Sequence, residues 1–176
     1  MEAMKAMEVR QSCRSYTPEQ IGEADLELIL KAANAAPVGM GRYENVHLTV
    51  IQNEELLNEI DGVAAEFFGD PEKHPLYGAR TLILVSAILP EAPRTTLAYC
   101  NAGCIVENMA LAATDLGLGN VYIFGSVNAL NLHPELVAKL NLPTDFVPVS
   151  ALAVGKAATP MKGRTFNKKI ETDYIR

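Results

Sequence analysis

Apolar residues recur at helical spacing at Leu26, Ile29, Leu30 and Ala33 and stop before Pro37, which predicts a first core helix. Thr17-Pro18-Glu19-Gln20 reads as its start, with Thr17 as N-cap, Pro18 at the first helical position and Gln20 closing a capping box. Pro37 to Gly41 is a loop, and the apolar run Val46 to Ile51 is a buried strand. Asn53 caps a second helix through Leu57, Ile60, Ala64 and Phe67, followed by a surface loop from Gly69 to Gly78. Thr81 to Ile88 is the next strand, bounded by Pro90 and Pro93. From Thr95 to Leu116 small and apolar residues nearly surround the helix, which assigns it to a core or an interface. Gly117 and Gly119 end it and release a strand from Val121 to Phe124. Pro134 opens a short helix ending near Leu140, and Val147 to Val154 is the last strand, before Gly155.

Helices alternating with strands predict an α/β (α+β) layered domain. No internal repeat, low-complexity tract or linker divides it, so residues 1–176 are expected to be a single domain. Gly117-Leu118-Gly119 lacks a third glycine and follows a helix, which argues against a dinucleotide fingerprint. A net charge of −6 argues against nucleic-acid binding. With no apolar run of about 18 residues and a mixed-charge start, neither a membrane span nor a signal peptide is expected, and the default location is cytoplasmic. Met1, Met4 and Met7 share one helical face suited to a partner surface. Cys100 and Cys104, four apart, read as small buried packing residues or as a thiol pair, with the first reading preferred. His47, His74 and His133 lack metal-ligand spacing, and no metal is expected.

The candidate chemistry lies in Arg10-Gln11-Ser12-Cys13-Arg14-Ser15-Tyr16. In an extended chain Arg10, Ser12 and Arg14 share a face, so two guanidinium forks and a hydroxyl can converge on one phosphate. The alternative is a pair of solvated arginines. Residues 159–176 carry five Lys/Arg against two acids, a basic tail able to complete an anion site.

Arg10-x-Ser12-x-Arg14-x-Tyr16, the helix ending Ala35-Ala36-Pro37 and the strand Val46 to Ile51 resemble the opening of the FMN-dependent nitroreductase family, in a short form. Asn101-x-Gly103, Glu107-Asn108-Met109-x-Leu111-Ala112-Ala113, Leu116-Gly117-Leu118-Gly119 and Ile123-Phe124-Gly125 are similar to its central helix and flavin-facing loop. The resemblance implies a central mixed sheet flanked by helices, FMN as cofactor and NAD(P)H as electron donor. It places Arg10, Gln11, Ser12 and Arg14 at the phosphate and ribityl end, joined by Lys162 or, better, Arg164. Arg14 also reaches toward the pyrimidine edge. Ile123, Phe124 and Gly125 face the ring, a backbone N–H there meeting flavin N5 and Gly125 allowing close approach. Many relatives carry Ser or Thr and then Asn-x-Gln-Pro after the proline. Here Val38, Gly41, Tyr43 and Glu44 stand instead, so backbone groups of Pro37, Val38 and Gly39 must substitute. Phe124 replaces an acidic residue of some relatives, which implies a less polar acceptor pocket.

The chemistry is flavin-borne, with no catalytic side chain expected. The resemblance further implies a homodimer with FMN at the interface, terminal segments reaching across, and a dimer-linked role for Met109. The implied activity passes electrons from NAD(P)H to a small acceptor such as a nitroaromatic or quinone. Other readings are a flavin carrier or redox sensor with little turnover, and a phosphate-ester binding module without flavin.

Overall fold

The computed structural model describes residues 2–89, 91, 95–164, 167 and 169–176, and its layers follow from the apolar alternation. The elements are α1 (Ala3–Val9), α2 (Glu23–Asn34), β1 (Val46–Ile51), α3 (Glu54–Phe67), β2 (Thr81–Ile88), α4 (Thr95–Asp115), β3 (Gly119–Ile123), α5 (Gly125–Asn131), α6 (Pro134–Ala138) and β4 (Phe146–Gly155). The strands lie in the order β1-β2-β4-β3, and all pairings among them are antiparallel. The sheet expected as mixed is antiparallel in all its strand pairs, and Ser12, outside the four strands, adds an isolated parallel bridge to Asn120.

Alternation along the two central strands sorts the core into two halves. Ile83, Val85, Leu152 and Val154 pack with Ile29, Ala33, Ile105 and Met109 of α2 and α4. Leu82, Leu84, Ala151 and Ala153 pack with Leu57, Ile60, Val127 and Leu130 of α3 and α5. Full burial of each large aliphatic side chain contributes roughly 1.5 to 3 kcal/mol. β1, at the sheet edge, has the expected bounds but is half-buried up to Ile51, because an edge strand is covered on fewer sides. Pro148 falls in central β4, where a missing N–H would break the ladder. The register shifts beside it, between Val85 and Ser86, and the resulting bulge accommodates the proline.

Asn53 caps α3 as expected, its Oδ1 accepting from Leu56 N at 2.8 Å. That bond is worth about 1 kcal/mol. The expected Thr17 cap is not formed. α2 starts at Glu23 behind Gly22, and the buried Thr17 hydroxyl has no hydrogen-bond partner. Tertiary bonds replace local ones here: Thr17 N donates to Lys156 O at 2.9 Å, while Gln20 Oε1 accepts from Thr81 Oγ1 at 2.8 Å. The segment expected to begin a helix is stitched to the ends of β4 and β2 instead.

α4 brings two further corrections. Met109 is wholly buried against the sheet rather than set toward a partner. Cys100 and Cys104 are exposed, on the same outward stripe as Tyr99 and Glu107. A helix rich in small residues looks apolar all round in sequence, so its inward stripe could not be told from its outward one. α5 was not expected, since its 7 residues span under two turns and leave no periodic signal. Met1 of the methionine stripe, Pro90, Pro93, Phe166 and Lys168 lie outside the described residues. Among those described, no helix is long and apolar enough to cross a membrane.

Candidate functional site

The Arg10–Tyr16 segment is extended because backbone bonds hold it on both flanks. Cys13 N donates to Asn120 O at 2.8 Å on β3, and Ala158 N donates to Ser15 O at 3.0 Å from the tail. Its floor is a cross-strand glycine pair, Gly119 opposite Gly155. A Cβ at Gly119 would stand 2.7 Å from Cys13 Sγ, and one at Gly155 would stand 3.0 Å from Tyr16 Cδ1. A side chain at Gly119 would push Cys13 away from β3, and one at Gly155 would crowd the Tyr16 ring. Tyr16 is within hydrogen-bonding distance of Cys13 O at 3.2 Å and Ala153 O at 3.3 Å through its hydroxyl. Burial, then the neighbouring Cys13, keep this phenol protonated well beyond the ordinary tyrosine range, with Arg14 opposing weakly. Beneath the strand, Asn120 Nδ2 donates to Ala110 O at 3.1 Å and Thr114 Oγ1 at 3.0 Å, tying β3 to α4.

With the backbone so held, Cys13 is buried while Ser12 and Arg14 are exposed, and Arg10, expected on the same face, is half-buried and does not line their cleft. Gln11 to Ser15 and Thr159 to Met161 line one cleft of about 260 Å³. The tail thus meets the N-terminal segment within one chain. Gln11 Nε2 donates to Lys162 O at 3.0 Å. Arg164 donates from its backbone N to Glu8 O at 3.2 Å and from Nη2 to Arg10 O at 2.5 Å, so it caps the C-terminal end of α1. Arg10 Nε lies 3.5 Å from Glu107 Oε1 of α4. Both outer arginines therefore begin with partners of their own, which an anion must share or displace.

The Pro37–Gly39 loop does not join this cleft. It runs into a tight turn in which Gly39 N donates to Asn101 Oδ1 at 2.9 Å and Gly41 N to Val38 O at 2.9 Å. Pro37 has no N–H, so the backbone groups expected to replace lost amides are largely spent inside the chain. Gly39 packs closely on α4, where a Cβ would fall 2.6 Å from Leu97 Cδ1 and make that side chain shift. Leu97 and Asn101 lie one helical turn apart on one side of α4. Tyr99, two residues on, points about 200° round the axis.

It is against Tyr99 that the third group sits. Phe124 meets its ring edge-to-face at 6.4 Å between centroids and is 47% exposed. Ile123 is buried as the last residue of β3. The space opened by the missing side chain at Gly125 is filled by Phe68, whose Cζ would be 2.4 Å from a Cβ. Gly125 thus serves close packing within the chain on that side. The structure joins the Arg10–Arg14 segment to the tail and sets Ile123–Gly125 at the junction of β3 and α5, while Pro37–Gly39 pack on Leu97 and Asn101 of α4 and do not line the cleft.

The model of the Nitroreductase family matches residues 7–156, nearly all of the ordered sheet and helices. This chain belongs to the nitroreductase family. It is similar throughout to a nitroreductase with bound FMN from Desulfitobacterium hafniense, at 25% identity and a TM-score of 0.86, covering 100% of this chain and 99% of that one. A nitroreductase with bound FMN from Bacteroides fragilis is 28% identical with a TM-score of 0.82, covering 99% of this chain and 100% of that one. An Archaeoglobus fulgidus protein, named as a candidate NADH dehydrogenase/NAD(P)H nitroreductase, is 30% identical over 155 residues, 88% of this chain and 84% of its own.

The loop after α3, expected only as a surface loop, carries contacts that reach both groups of candidate residues. It packs Phe68 onto Gly125 at one end and sets Tyr77 beneath Arg14 at the other, with Arg14 Cζ 6.0 Å from the ring centroid. Lys73 lies over the Phe68 ring at 4.8 Å. Aromatic residues flanking a Gly/Pro-rich run were the available signal, though a surface loop is the ordinary reading of that composition. Among the described residues, no group of three or more His, Cys, Asp or Glu side chains is placed to hold a metal ion.

Proposed function

We propose that this chain is an FMN-dependent oxidoreductase, a single domain over residues 1–176, that takes electrons from NAD(P)H and delivers them to a small acceptor such as a nitroaromatic or quinone. The observation that carries the reading is the extended segment on the glycine pair, which turns Ser12 and Arg14 outward at a cleft shared with the basic tail. The donor set suits a phosphate monoester, since guanidinium forks and a hydroxyl supply charge-assisted bonds in a fixed array. Bound FMN supplies the two-electron redox chemistry.

Arg10, Gln11, Ser12 and Arg14 hold the phosphate and ribityl end, with Lys162 and Arg164 adding positive charge from the tail. The backbone at Ile123, Phe124 and Gly125 borders the ring, and the half-exposed Phe124 and Tyr99 make the acceptor side apolar. Pro37, Val38 and Gly39 contribute shape from a second copy of the chain, since they do not line the cleft of their own. The reading supports a homodimer built on the exposed stripe of Tyr99, Cys100, Cys104 and Glu107, with FMN between the copies and the protein in the cytoplasm. Exposed Ile170, Tyr174 and Ile175 supply apolar tail surface for the same partner.

The visible absorption spectrum of freshly purified protein tests the cofactor, and bleaching by NADH or NADPH tests turnover. Flavin that stays oxidised under both donors returns the carrier reading, and a protein colourless after soaking in FMN rejects the flavin altogether. For the assembly, Cys104→Lys should give a monomer by light scattering and lose FMN at the same time, since a ligand held by two chains stabilises their association. A monomeric parent with full flavin occupancy would reject the shared site.

A further inference from the structure

Tyr77 occupies the left-handed region, at φ 58, beside Gly78 at φ 77. Of the described non-glycine residues with positive φ, Asn141 and Asp145 are types that tolerate it, whereas Met40 and Tyr77 are bulky. A bulky side chain stays there when its surroundings over-determine it. At Tyr77 those surroundings are identifiable. Leu76 N donates to Asp61 Oδ1 at 2.7 Å, Asp61 Oδ2 meets His74 Nδ1 at 2.8 Å, and Tyr77 N donates to His74 O at 2.8 Å. Leu76 is buried in the core half against which Tyr77 also packs. The turn is therefore latched to α3 through one largely buried carboxylate.

The product of this latch is the placement of the Tyr77 ring under Arg14, whose Cζ lies 6.0 Å from the centroid. Arg14 is exposed on an extended segment, where its long side chain would otherwise be spread over many rotamers. An aromatic face beneath a guanidinium narrows that spread by cation–π attraction and stacking.

We propose that Tyr77 is a positioning residue, its ring locked by the Asp61 latch and the left-handed turn so as to hold the Arg14 guanidinium at the edge of the flavin site. The proposal rests on the assignment of Arg14 to the flavin. It accounts for a tyrosine where the backbone would be relaxed by glycine: the ring is needed more than the relaxation.

The test is FMN dissociation from the full-length chain, read by flavin fluorescence, for Tyr77→Gly, Tyr77→Leu and Tyr77→Phe, each with Arg14 present and in an Arg14→Ala background. Gly removes the ring and relaxes the backbone, Leu removes it and keeps both strain and apolar packing, and Phe keeps the ring face. Gly and Leu should weaken FMN about three- to fivefold, Phe should stay within about twofold, and neither ringless variant should weaken it further without Arg14. Thermal unfolding should rank Gly and Leu by backbone and packing and not follow the FMN loss. If one of the two fails to fold, the other carries the comparison. Unchanged affinity in a folded ringless variant, or the same loss in both backgrounds, overturns the positioning role while the Arg14 assignment stands. An Arg14→Ala protein that holds FMN as tightly as the parent rejects the assignment itself, and the proposal with it.

Discussion

The Arg10–Tyr16 segment and the Pro37–Gly41 loop each follow a helix and each carry residues that resemblance assigns to the flavin, yet they are built in opposite ways. The first spends its backbone on β3 and the tail, so its side chains are what it presents outward. The second folds into a turn whose Gly39 N–H is taken by Asn101, and it presents Met40, at φ 59, to solvent. A strand-like segment exposes alternate side chains because the ladder uses its peptide groups. A tight turn against a helix uses those groups without such a register. In this protein exposed charged side chains are thus displayed by the N-terminal segment, whereas the loop displays Met40.

The largest expected effect breaks the floor of the first region. Gly119→Val should clash with Cys13 Sγ and Ala157 Cβ, lower stability by about 1 to 3 kcal/mol in urea unfolding, and abolish flavin retention. Retained FMN in a folded Gly119→Val protein would show that the segment can leave the sheet and still bind. Next comes the charge itself. Arg10→Ala should weaken FMN by roughly 1.5 to 3 kcal/mol and riboflavin far less, by titration at low and high salt. Arg164→Ala should act in the same direction but by under about 1 kcal/mol, because its Nη2 is already engaged with Arg10 O. Equal losses from the two arginines would contradict the ordering of the N-terminal segment over the tail. The smallest effect sharpens the second region: Asn101→Ala should cost about 1 kcal/mol of stability by releasing Gly39 N–H, while FMN affinity moves less than for Arg10→Ala. If Asn101→Ala proves the more damaging to FMN, the loop and not the arginine face dominates binding.

Local sequence pattern was enough to place β2 at Thr81–Ile88, as a continuous apolar run, and the Asn53-capped helix, by its helical spacing, and to choose a layered α/β fold. It also led to the expectation that Arg10, Ser12 and Arg14 share a face, a consequence of period two in an extended chain; in the fold Ser12 and Arg14 open on one cleft that Arg10 does not line. Tertiary structure alone decided that the chain there is extended, through bonds to Asn120 and Ala158, more than 100 residues away in sequence. It decided that Thr17 would pair with Lys156 rather than cap a helix, which stripe of α4 faces out, and that Gly119 and Gly155 lie opposite one another beneath Cys13 and Tyr16. Local propensities differ by under about 1 kcal/mol per residue, so a few long-range hydrogen bonds and a close-packed glycine pair outweigh them.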